Sequence, residues 1–91
     1  MVKVVFPSIF TQLTNGEKEI TISALTLRDI LDQLISRYGT LFKERILDPS
    51  GEPKRLLTFY INGKNSRFLN YLYTEVQDED EITILPSVSG G

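Results

Sequence analysis

The sequence predicts an α+β fold, a mixed sheet of four to five strands with one main helix packed across one face. Three observations carry that prediction. Runs rich in β-branched and aromatic residues stand near both ends of the chain, "VKVVF" and "EITIS" early and "EITIL" late. Between them Leu27, Ile30, Leu31, Leu34, Ile35 and Tyr38 recur at three- and four-residue steps, the stripe of one amphipathic helix. A chain of 91 residues, 41% hydrophobic and 24% charged, suits one small core, which a helix on a sheet can enclose in two layers.

Val2 to Phe6 forms the first strand, closed by Pro7, which cannot donate to a ladder. Ile9, Phe10 and Leu13 follow with a different spacing that fits a short helical turn or an irregular packing segment, and Asn15-Gly16 marks the next tip. Glu19 to Ser23 alternates polar and apolar and pairs antiparallel with the first strand. Thr26 caps the helix, with Asp29 three positions on in a capping-box arrangement, and Gly39 stops it. Leu41, Phe42, Ile46 and Leu47 give a second, short helical piece before the loop "DPSGEP", whose two prolines and glycine exclude regular structure. "LLTFYI" reads as a central strand. Asn62-Gly63 after it is a hairpin signal, since both positions tolerate positive φ, and an extended piece around Ser66 to Phe68 is expected to pair back. Leu69, Leu72 and Val76 pack as a connection. Glu81 to Leu85 is the last strand, with Ile82 and Ile84 inward, and the crossover makes the first and last strands parallel neighbours in the centre of the sheet.

Composition narrows the function. Net charge is -2 with acids and bases mixed, so no electrostatic footprint for nucleic acid is present. Cysteine is absent, which removes disulfides, thiol nucleophiles and thiolate metal sites; histidine is absent too, and with it the commonest metal ligand and general base. The acids Glu75, Asp78, Glu79, Asp80 and Glu81 lack calcium-loop spacing and read as a solvated turn, with steering toward a basic partner as the sharper alternative. No metal site is expected. The opening "MVKVVFPSIF" is too short for a signal-peptide core or a membrane span, so a cytoplasmic protein without membrane partners is expected. The glycines at 16, 39, 51, 63, 90 and 91 form neither a phosphate loop nor a dinucleotide fingerprint, so no cofactor is expected to bind this chain. Lys3, Lys18, Lys43, Lys54 and Lys64 are scattered, and neither Arg67 nor Phe68 acquires a role.

The end of the chain stands apart. "LPSVSGG" carries no charge and finishes on two glycines, a pairing with a chance probability of roughly 0.5% at average glycine usage. A frayed terminus or an artificial extension are the dull readings. The chemical reading takes residues 1–85 as the folded domain and 86–91 as a flexible tail. Such a tail reaches roughly 20 Å when extended, and Gly90 and Gly91 place no Cβ in the way of an atom approaching the terminal carbonyl. Leu85 falls on the opposite side of its strand from Ile82 and Ile84; with Pro86 and Val88 it is a candidate partner contact.

Element order and ending resemble the β-grasp, ubiquitin-like sulfur carriers: the small subunit of molybdopterin synthase, the thiamine-pathway carrier ThiS, and their relatives. The resemblance covers nearly the whole chain and is most specific at "KVVF", at the "NG" hairpin and at "DEDEITILPSVSGG". The stretch from Asn65 to Gly91 is more similar to archaeal-type members and to the carrier of a thiocarboxylate-dependent cysteine synthase than to the shorter ThiS form. One departure is Asp78-Glu79-Asp80, where the family usually has Asp-Gly-Asp; glutamate does not share glycine's easy access to positive φ.

The resemblance implies a carrier, not an enzyme. A ubiquitin-activating-enzyme-like adenylyltransferase would spend ATP to join the Gly91 carboxylate to AMP, a sulfur donor would displace AMP, and the resulting thiocarboxylate would serve molybdopterin, thiamine or cysteine biosynthesis. The family position corresponding to Leu85 docks partners. Alternatives on the same scaffold are a constitutive small subunit in a stable complex with the large molybdopterin synthase subunit, and a ubiquitin-like modifier joined to lysines. A plain interaction domain with an inert terminus is the remaining class.

Overall fold

Alternation builds the sheet. Val2–Val5 (β1) and Glu19–Ile22 (β2) pair antiparallel, Val2 opposite Ile22 and Val5 opposite Glu19, which puts Val2, Val4, Ile20 and Ile22 on one buried face. The structure, a computed structural model, describes residues 1–86. Leu57–Ile61 (β3), Lys64–Asn65 (β4) and Glu81–Pro86 (β5) complete a five-stranded sheet in the order β2-β1-β5-β3-β4. The first and last strands are parallel neighbours, as the crossover predicts, with Lys3 opposite Glu81 and Val5 opposite Thr83. The centre of the sheet is β5, with β3 beside it. Its last residue is Pro86, one beyond the predicted strand end.

Leu27–Tyr38 (α1) crosses the buried face. Thr26 Oγ1 accepts from the Asp29 N–H at 3.2 Å as the predicted cap requires, while the Asp29 carboxylate reaches back one residue further than a capping box does, accepting from the Leu25 N–H at 3.0 Å. Leu27, Ile30, Leu31 and Leu34 are buried against Phe59, Ile82 and Ile84 in one core. Each such side chain contributes about 1.5–3 kcal/mol by leaving water. Thr40–Ile46 (α2) follows at once and adds Phe42 and Ile46, and Phe42 meets Phe6, Phe10 and Tyr38 in a cluster of edge-to-face and tilted rings. Among the described residues no helix is long and apolar enough to cross a membrane.

The returning segment after the hairpin differs from expectation. Asn62-Gly63 turns at φ 52° and 84°, but the strand pairing back is Lys64–Asn65, and Ser66–Phe68 forms a 3-10 turn instead. The cause is local: Asn65 Oδ1 accepts from the Arg67 N–H at 2.9 Å, an Asx-type bond that bends the chain out of the ladder after two residues.

Before β5 the chain makes a tight turn at Asp78-Glu79-Asp80, and Glu79 adopts φ 75° although it is not glycine. Long-range bonds hold it there. The Glu79 N–H donates to Met1 O at 2.9 Å, the Lys3 N–H to Asp80 O at 2.9 Å, and the Asp80 carboxylate takes the Gln77 N–H at 2.8 Å and Asn62 Nδ2 at 2.9 Å.

Candidate functional site

The pleat sends Ile82 and Ile84 into the core and turns Glu81, Thr83 and Leu85 to the open face of the sheet. Leu85 is 40% exposed there, on the side predicted for it. Its surroundings follow from register. Strand β1 accompanies β5 only as far as Thr83, so among the described residues Leu85 and Pro86 have β3 alone as strand neighbour: Leu85 opposite Thr58, Pro86 opposite Leu57.

Leu56 precedes β3 on the parity of Thr58 and Tyr60 and is 61% exposed, which makes it a diagonal neighbour of Leu85 across the pair. Half-buried Val5, on the same open face, stands opposite Thr83. These apolar side chains between threonines are what a docking surface requires: area that releases water on contact, with few charges to desolvate.

The other end of that face is ionic. Lys3 Nζ lies 3.7 Å from Glu19 and 3.9 Å from Glu81. Of the acids read as a solvated turn, Asp80 is a joint between two turns. Asp78 accepts from the Met1 ammonium at 2.9 Å, a bond that holds its carboxyl below the ordinary carboxylate range.

Of the predicted site residues, Leu85 and Pro86 stand together at the end of β5, while Val88, Gly90 and Gly91 lie outside the described residues. Two hollows are lined elsewhere. One of about 500 Å³ lies between α2 and the loop at Asp48 and Pro49, and one of about 280 Å³ lies among Arg28, Glu52 and Tyr71–Tyr73; neither is lined by β5.

Arg67, given no role from sequence, reaches the start of β3. Its Nη2 donates to the carbonyls of Arg55 at 2.9 Å and Leu57 at 3.0 Å. No sequence signal marked it, because the need for a donor there arises only once β4 stops after two residues and leaves carbonyls on the edge of the five-residue β3 without a strand partner.

Residues 4–91 match the ThiS family. Over 92 residues the chain is 37% identical to the sulfur carrier protein CysO of Mycobacterium tuberculosis, covering 99% of this chain and 98% of the relative. Its fold superposes with a TM-score of 0.87 on a chain of the BexX/CysO complex of Amycolatopsis orientalis, at 35% identity and with all of both chains covered. The small archaeal modifier protein 1 of Methanosarcina acetivorans also gives 0.87, at 33% identity over 99% of this chain and 95% of that one.

Proposed function

The chain belongs to the ThiS family of sulfur carriers, with their ubiquitin-like β-grasp fold, and from that premise we propose that the Gly91 carboxylate is its working group. In the first step one carboxylate oxygen attacks the α-phosphorus of ATP in a partner adenylyltransferase, and pyrophosphate leaves. In the second, hydrosulfide attacks the acyl carbon, AMP leaves with the bonding pair and the thioacid gives up its proton, leaving a thiocarboxylate. In the third, that sulfur attacks an electrophilic carbon of the acceptor held by a synthase in cofactor or cysteine biosynthesis, the displaced electron pair moving onto the acceptor. Water then cleaves the acyl–sulfur bond, leaving sulfur on the acceptor and restoring the Gly91 carboxylate. The chain itself holds no cofactor, the ATP is the partner's, and the reactions are cytoplasmic.

Activation by a partner is needed because a carboxylate is a poor acyl electrophile and this sequence has no phosphate-binding loop. Gly90 gives the partner access to the carbonyl, and Leu85, Pro86 and Val88 give it a grip. One observation carries the reading: whole-length similarity to named sulfur carriers coincides with an exposed apolar β5 end five residues before Gly91.

Intact mass tests it. Incubation with ATP, a sulfide source and extract of the source cells is expected to raise the mass by sulfur minus oxygen, and a variant extended past Gly91 by bulky residues is expected to show no gain. A gain on the extended variant, or none on the unextended chain, overturns the proposal. The likeness to a small archaeal modifier supports a second reading, isopeptide conjugation through Gly91, which the same spectra report as adducts on lysine.

A further inference from the structure

Strand β4 faces only Tyr60 and Ile61, so the half of the β3 edge at Leu57 has no strand beside it. Arg67 occupies that place. Besides the two carbonyls bound by Nη2, its Nη1 lies 3.4 Å from Thr58 Oγ1, so one planar fork spans three acceptors between Arg55 and Thr58, at the entry to β3. The guanidinium carbon sits 5.7 Å from the centroid of the Tyr71 ring, and that ring packs on Phe59 at 6.3 Å. Tyr71 adopts φ 50°, a left-handed conformation that bulky residues seldom take, and in it the ring backs the arginine.

Leu57 and Thr58, the residues that Arg67 bonds, are the ones facing Pro86 and Leu85, and among the described residues no other strand pairs with that end of β5. We infer that Arg67, backed by Tyr71, is a positioning residue: by fixing the start of β3 it fixes the direction in which the chain leaves the sheet toward Gly91. The inference rests on the carrier reading for its consequence, though its geometry does not depend on it. Loosening this end leaves the docking area unchanged but spreads the carboxylate over more positions in the partner's site, so the loss belongs in kcat and not in KM.

The test uses the full chain with Arg67→Lys, which keeps charge but not the fork, and Tyr71→Leu, which keeps bulk but not the π face. Two measurements are made: amide hydrogen exchange by NMR, and ATP–pyrophosphate exchange with a purified adenylyltransferase from the same organism. Exchange at Thr58 and Leu85 is expected to rise roughly tenfold while Val4 and Ile20 in β1 and β2 stay within about twofold. kcat is expected to fall about tenfold with KM within about twofold, and Leu85→Ala is expected to do the reverse. Equal acceleration at all four amides, no acceleration, or an unchanged kcat overturns the inference. Local acceleration in a system where the unsubstituted chain supports no pyrophosphate exchange overturns the carrier reading and with it the catalytic consequence.

Discussion

The two ends of β5 are built on opposite plans. At Glu81 the strand has β1 on one side and the hairpin turn after β3 on the other, bound through the Asn62 N–H to Glu81 O, and the turn before it is tied to Met1, Lys3, Asn62 and Gln77. At Leu85 and Pro86, among the described residues, it has β3 alone beside it and an exposed apolar side chain, with no ion pair. Polar bonds within the chain use up the first end, and burial within the chain leaves the second unused. A surface meant for a partner has to be left unsatisfied by its own fold, and in one six-residue strand both conditions are met.

Removing the ties breaks the comparison at its rigid end, and the largest effect is expected there. Asp80→Ala deletes a carboxylate that accepts two hydrogen bonds, from Gln77 and Asn62. Charge-assisted bonds of this kind are worth about 1.5–3 kcal/mol, discounted here for partial exposure to about 2 kcal/mol, or roughly a 10 °C fall in Tm. Thermal unfolding by circular dichroism measures it; a fall under about 3 °C means the turn is held by its backbone alone. Leu85→Ala probes the open end and should leave Tm within about 3 °C while raising KM for activation roughly tenfold, equivalent to about 1.4 kcal/mol of lost contact. A stability loss as large as that of Asp80→Ala would make Leu85 a core residue and erase the contrast.

Glu79→Gly sharpens the comparison from the other direction. A non-glycine residue at φ 75° costs about 1–2 kcal/mol, and glycine returns about 0.4–1 kcal/mol of that through its freer unfolded chain. The variant is therefore expected to gain about 0.5–1 kcal/mol in urea unfolding, with the Glu79 N–H still bound to Met1 O. A loss would show that the glutamate side chain contributes more than its backbone conformation costs.

Local interactions made most of the fold legible. The helix cap, the stripe on α1, the alternation of β2 and β5 and the Asn62-Gly63 turn each act within a few residues, so the sequence states them directly. The short β4 was not legible, because what ends it is a side-chain bond: Asn65 still pairs with Tyr60, but its Oδ1 accepts from the Arg67 N–H in competition with continuation of the ladder past Asn65. Nor was Glu79, whose conformation is imposed by Met1, Lys3 and Asn62, 17 to 78 positions away along the chain. The candidate site divides in the same way. The outward face of Leu85 follows from parity, whereas Leu56 and Arg67 reach it only through the register of β3 against β5, which no single stretch encodes.

The smallest effect expected lies on the helix side of the sheet, where the Tyr38 hydroxyl donates to Glu17 Oε1 at 2.7 Å and ties α1 to the segment leading into β2. Burial, followed by that hydrogen bond and the nearby carboxylate charge, pushes the phenol up to about 12 from an ordinary value near 10. The neutral phenol is the form the fold prefers. Its stabilisation is therefore complete below pH 10, the unfolded value, and is lost as pH rises through about 12. Tyr38→Phe removes the bond and should cost about 0.5 kcal/mol at pH 7, a partly exposed bond being screened. Urea unfolding of both proteins from pH 7 to 11.5 should show that difference constant to about pH 10 and shrinking above it. A difference that stays constant to pH 11.5 would mean the phenol titrates alike folded and unfolded.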